Sequence, residues 1–136
     1  KWIEHITRTK YEIAMVGYDE VFMNDPAIEK VLEKVVLESK KMLHVILPEN
    51  QPLNFLDYLT LQEPSLTWIL RSSIPEEIGF MLLDRTKVAT HDSSKFTPHP
   101  EEAKQGVIYR NYTANPEEGL FYSNLFMKLE HKARQE

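Results

Sequence analysis

Apolar and polar positions along this chain follow two rhythms, and each change of rhythm marks an element. Tyr11–Gly17 (YEIAMVG) is mostly apolar and closed by Gly, which predicts a strand. Met42–Leu47 (MLHVIL) is a short apolar run stopped by Pro48 and predicts a buried strand. Thr67–Arg71 gives a third strand. Ile78–Leu83 (IGFMLL), apolar on both faces, gives a fourth that belongs in the middle of a sheet. Asp84–Lys87 reads as a turn, with Val88–His91 returning as a hairpin partner, and Gly106–Arg110 is a further strand. Between Ser93 and Gln105 the two prolines, the serines and the charges predict a loop.

The helical rhythm is clearest after Asp25, a good N-cap, with Pro26 at the first helical position. Ile28, Val31, Leu32, Val35 and Val36 then share one face. Glu29 and Glu33 come early and Lys40 and Lys41 late, as the helix dipole prefers. Pro52–Leu61 predicts a short helix with Phe55, Leu56 and Leu59 inward. Asn115 caps a last helix that starts at Pro116, with Phe121, Leu125 and Leu129 in one row, Leu120 and Met127 beside them, and a basic end. Lys1–Lys10, with Trp2, Ile3 and Ile6 at helical spacing, reads as the end of a helix arriving from upstream. Helices between the early strands imply right-handed crossovers. The expected fold is a single α/β domain with a mixed, mostly parallel sheet flanked by helices.

Composition narrows the chemistry. The 136 residues contain no cysteine, which removes thiolate nucleophiles, disulfides and Cys-based zinc sites. The 42% apolar and 27% charged content is that of a folded domain, not a disordered one. A net charge of −5 argues against general nucleic-acid binding, which needs a basic surface. No apolar run has the length of a membrane span, and no signal peptide is visible. The first residue is Lys1 and not Met, so the expectation is a piece of a longer, cytoplasmic protein.

The order of elements, and above all Ile78–Leu83 followed by Asp84 and Arg85, resembles one half of a phospholipase D-like protein over about 125 residues, Tyr11 to Arg134. That family's signature is H-x-K-x-x-x-x-D. Counting back from Asp84 puts Glu77 where the family has His and Gly79 where it has Lys. The family His attacks phosphorus, and its Lys steadies the phosphate oxygens. The resemblance therefore implies the fold without the chemistry, because a carboxylate repels an anionic phosphate and Gly brings no cation. Val107–Ala133, with Tyr122-Ser123-Asn124 and Phe126, Leu129 and Ala133, resembles the end of sensor-kinase input domains; degenerate copies of the fold also occur in archaeal transcriptional regulators. The resemblance implies a non-catalytic sensory or regulatory domain, a homodimer, and neighbouring signalling or DNA-binding domains. No cofactor is expected, and the acidic net charge and the lack of a membrane-length run lead to the expectation of no direct contact with nucleic acid and no membrane contact. Two other readings stay open: a structural dimerisation module without a ligand, and a phosphodiesterase with an altered site.

Candidate ligand residues follow from position. In parallel α/β sheets the loops at the strand C-terminal ends form the ligand crevice. That singles out Tyr18, Asp19, Arg71, Glu77 and Asp84, with His91 beside them on the hairpin, as a site for a small molecule. The plainer account is that Asp84 fixes a turn, as Asp often does, and that Arg71 pairs with a surface acid. His91 and His99 span a proline-rich loop at no known ligand spacing, so no metal is expected. His44, inside an apolar strand, reads as a satisfied interior or edge residue, and His5 and His131 as surface positions. The four glycines are isolated, so there is no phosphate-binding glycine loop.

Overall fold

The computed structural model describes residues 2–18, 23, 26–49, 54–73, 79–90 and 111–135. Six strands form one mixed sheet in the order β3-β2-β1-β4-β5-β6. They are β1 (Glu12–Val16), β2 (Met42–Pro48), β3 (Thr67–Ser72), β4 (Phe80–Leu83), β5 (Lys87–Thr90) and β6 (Asn111–Thr113). The contacts of β2 with β1 and β3 are parallel, and those through β4, β5 and β6 are antiparallel. Four strands, β1, β2, β3 and β5, therefore point one way. The helices are α1 (Trp2–Thr7), α2 (Pro26–Glu33), α3 (Asn54–Gln62) and α4 (Pro116–Gln135). The expected strand at Gly106–Arg110 and the loop at Ser93–Gln105 lie outside the described residues, as does the expected cap Asp25.

Strand alternation sorts the core into two layers. Ile13 pairs with Leu43 and Leu83, and Met15 with Val45 and Met81. These odd positions face one way and pack with Ile6 of α1, Ile28, Val31 and Leu32 of α2, and Leu56 and Leu59 of α3. Ala14, Val16, Ile46, Phe80, Leu82 and Val88 face the other way and are covered by Phe126 and Leu129 of α4. β4 is buried at every residue, which fits its central place in the sheet. The apolar face predicted for α2 is observed, and it runs on through a π-helical turn at Lys34–Glu38 that buries Val35 and Val36.

α4 begins as the sequence predicts, with the Asn115 side chain accepting from the Glu117 N–H at 2.9 Å. Its buried row differs from the expected one. Phe126, Leu129 and Ala133 face the sheet, Tyr122 and Leu125 lie at the margin, and Phe121 is exposed. Gly119 decides the matter. A Cβ there would lie 2.6 Å from the Thr86 carbonyl oxygen, so α4 rests directly on the β4–β5 turn. Gly119, Phe126 and Ala133 are seven apart, and this row must face the sheet.

Alanine normally improves a helix interior over glycine by about 1 kcal/mol. Gly119→Ala is expected to do the reverse, lowering stability by about 1–3 kcal/mol through overpacking on Thr86. Urea unfolding of the two chains measures this, and a higher midpoint for the variant would show that the contact is not tight.

Candidate functional site

The turn between β4 and β5 is where chain entry, sheet and last helix meet. Asp84 and Arg85 both hold left-handed backbone, with φ of 57° and 62°. The Thr86 N–H closes the turn by donating to the Leu83 carbonyl at 3.2 Å. Positive φ at both central positions matches the twist of a hairpin, but it disfavours a residue such as Arg. The side chains explain why it persists. The Asp84 carboxylate accepts from the backbone N–H groups of Lys10 (2.9 Å), Tyr11 (2.7 Å) and Glu12 (3.1 Å). The Asp84 N–H in turn donates to the Glu12 carbonyl at 3.0 Å. The turn thus fastens the segment between α1 and β1.

Arg85 reaches the opposite way. Its Nε donates to Glu12 Oε1, and its guanidinium lies 4.6 Å from the centre of the Phe126 ring on α4. Glu12 Oε2 lies 3.6 Å from His44 Nε2, and His44 Nδ1 lies 3.8 Å from Glu130 Oε2. Arg134 Nη2 is 3.7 Å from the same Glu130 oxygen. The His44 ring stacks on Trp68, with centroids 4.6 Å apart and planes 8° apart, and meets the edge of Phe126 at 6.1 Å. A polar seam, Arg85–Glu12–His44–Glu130–Arg134, therefore runs between the sheet and α4. Its two carboxylates and two guanidinium groups balance. The four charges pull on His44 in opposite directions, so burial prevails and lowers its pKa below the ordinary histidine value of 6.5. Nδ1 is buried without a hydrogen-bond partner.

The residues singled out from sequence fall at opposite ends of β1. Tyr18 follows its C-terminal end, at the level where β2 and β3 also finish. Tyr18 is buried, and burial raises its phenol pKa, so it lies beneath the surface and does not line it. Arg71, exposed near the end of β3, donates from Nη1 to the Glu49 carbonyl at 3.1 Å. It also lines an open groove of about 600 Å³ between Asp57 and Thr60 of α3 and the outer strand β3. Asp84 sits at the other end, beside the start of β1, so the structure does not bring it together with Tyr18 or Arg71. Asp19, Glu77 and His91 lie outside the described residues. Gly79 is described: it is buried and directly precedes β4, whose first residue pairs with Val16 near the crevice end. Among the described residues, no three His, Asp or Glu side chains converge as metal ligands. None of the described helices is long and apolar enough to cross a membrane.

Among solved structures the chain is similar to NucT from Helicobacter pylori, with a TM-score of 0.60 and 14% identity over 96% of this chain and 85% of that one. It is also similar to TrmBL2, an archaeal chromatin protein whose structure shows a novel mode of DNA binding, with a TM-score of 0.62 and 13% identity over 97% of this chain. The chain spans about half of TrmBL2, 48% of its length. No family model and no curated protein sequence matches the chain. The structural likeness supports a phospholipase D-like fold. It also corrects one expectation. The chain was expected to make no direct contact with nucleic acid, yet TrmBL2, which shares this fold, binds DNA. The net charge of −5 is a property of the whole chain and says little about any one face.

The seam around His44 escaped the sequence reading, which saw His44 alone. One signal was present: Glu12 and His44 interrupt two strands that are otherwise apolar.

Two outcomes follow. Asp84→Ala leaves three N–H groups without their charged acceptor and is expected to cost about 2 kcal/mol, with Asp84→Asn retaining part of it; chemical denaturation reads both. His44 has its pKa lowered in the folded state, so its contribution is present above pH 6.5 and is lost as pH falls below that value. The urea midpoint of the native chain should drop between pH 7.5 and 5.5, in units set by that pKa gap, and His44→Gln should flatten the drop.

Proposed function

We propose that this chain is a non-catalytic regulatory domain of phospholipase D-like fold, working inside a larger signalling or transcription-regulatory protein. The observation that carries this reading is the use made of Asp84. Its carboxylate is engaged by three backbone N–H groups at the end of β1 away from the strand-end crevice. It serves the architecture there, with both oxygens engaged by backbone N–H groups. Gly79, at the position that carries Lys in the signature, supplies no cation to hold a phosphate.

The joint at residues 84–86 supports a relay role. Asp84 holds the segment leaving α1, while Arg85 and Thr86 seat α4. A shift of either helix is therefore felt by the other through a single turn, and a ligand that binds one arrangement better than another biases both. The groove beside Arg71 is a described concave surface that could admit a small ligand. The presence of the fold in the chromatin protein TrmBL2 supports a transcription-regulatory setting.

Incubation of the chain with an activated phosphodiester, such as bis-p-nitrophenyl phosphate, is expected to give no turnover above the blank. Turnover that disappears in Asp84→Asn, at a temperature where that variant stays folded, would instead favour a phosphodiesterase with an altered site. A metabolite that raises the unfolding temperature of the chain but not of Arg71→Ala would identify the ligand class.

A further inference from the structure

Among the described residues the sheet ends at β3 on one side and at β6 on the other, and the two edges are unlike. β6 is three residues long, and so short an edge offers little to pair with. β3 runs for six residues, Thr67–Ser72, in unbroken register with β2. Proline, lysine and bulges usually blunt an edge of that length, and β3 contains none of them.

One contact fixes which backbone groups this edge presents. The Leu43 N–H donates to the Leu66 carbonyl at 2.8 Å, while Leu43 is in register with Thr67. Along a strand the N–H and C=O of one residue point together to one side, and those of the next residue to the other. Leu66, Trp68 and Leu70 therefore turn their backbone groups to β2, and Thr67 and Ile69 turn theirs outward. Five successive residues, Thr67 to Arg71, line the groove beside α3. Their side chains alternate between the two faces of the sheet, so what they share along the groove is the backbone edge.

We propose that this groove receives an extended peptide segment of a partner protein, which adds to β3 as a further strand and presents a basic side chain to Asp57. Pairing at every second residue is a demand that an extended chain meets and a compact ligand does not. The volume agrees. Strand rise, strand spacing and sheet thickness together allow roughly 160 Å³ per residue, so a groove of about 600 Å³ holds about four residues, close to the stretch of β3 that lines it. Asp57 stands exposed on the α3 wall, and no described residue bonds to its carboxylate. Arg71 instead turns to the end of β2, where it donates to the Glu49 carbonyl. A cation therefore matches the helix wall, and the net charge of −5 draws in a basic segment. On the other face, the half-buried Trp68 and Leu70 offer apolar cross-strand neighbours. The inference deepens the regulatory reading by assigning the groove a partner segment. Phosphodiester turnover and peptide binding are separate measurements, so either reading can fail without the other.

Amide hydrogen exchange followed by NMR tests the edge directly. In the chain alone, Thr67 and Ile69 should exchange at least about tenfold faster than Trp68 and Leu70. A blocked hexapeptide of alternating valine and lysine, titrated into the chain, should slow Thr67 and Ile69 and leave β6 unchanged. One alternate set of peptide amides faces β3, so N-methylation of one set should abolish binding and N-methylation of the other should preserve it. Glutamate in place of lysine should weaken binding. Asp57→Asn, at an exposed position that leaves the fold intact, should weaken binding of the lysine peptide by about threefold. Slow exchange at Thr67 and Ile69 in the chain alone would overturn the proposal, because the edge would already be covered. So would a peptide that does not bind, two methylated sets that act alike, or a glutamate peptide that binds equally well. Exchange that slows with chain concentration alone would give the edge to a second copy and overturn it too.

Discussion

The Asp84 carboxylate, bound to three successive backbone N–H groups, is the interaction on which the other contacts depend. It holds two non-glycine residues in left-handed backbone, a conformation that costs roughly 1–2 kcal/mol for each. Charge-assisted hydrogen bonds are each of similar or larger size, so three of them offset the strain. What the strained turn provides is position. It aims Arg85 at Glu12 and Phe126, and it sets the Thr86 carbonyl under Gly119. Without the carboxylate, the turn loses three of the bonds that hold that shape, and the common seat of α1 and α4 is weakened.

The two faces of the sheet meet their helices by different means. Against α1, α2 and α3 the described contact is mainly apolar, and such a contact resists displacement in proportion to buried area. Against α4 the apolar patch is bordered by the seam through His44, where charges balance and the imidazole stays neutral. The seam is only partly buried, and the attraction between its opposite charges offsets part of the desolvation that each one costs. It also responds to protonation, since a positive His44 would sit between Arg85 and Arg134 as well as between the two glutamates. The face that carries α4 is therefore the more adjustable of the two.

Element order was legible in the sequence because each strand and helix has its own hydrophobic period. Asp84 was also legible as a turn residue. Its bonds to Lys10, Tyr11 and Glu12 were not, since they join positions more than 70 apart in the chain. The row on α4 misled for a different reason. Phe121 and Phe126 are equally apolar, and spacing alone places either inside; the close approach of Gly119 to Thr86 decides between them, and that approach exists only once the hairpin is folded. The pairing of Glu12 with His44 across the seam was hidden in the same way. Register places His44 beside Ala14 and Trp68, and Glu12 then reaches it from the end of the neighbouring strand.

An acidic residue in a strained turn invites a chemical reading. In this chain its neighbours give it a sufficient task without any. Three N–H groups at the start of β1 must find acceptors, and Asp84 supplies them from a turn that abuts that end of the strand. This duty is separate from position 79, because Gly79 directly precedes β4, whose first residue pairs with Val16 at the far end of the strand pair. The same separation favours regulation in the proposed reading. The joint that ties the entering helix to the last one stands at one end of β1, and the strand-end crevice at the other, so a change at the crevice can reach the helices only through the sheet between them. β1 and β4, buried on both faces, form the stiff centre of that sheet and can carry such a displacement with little loss.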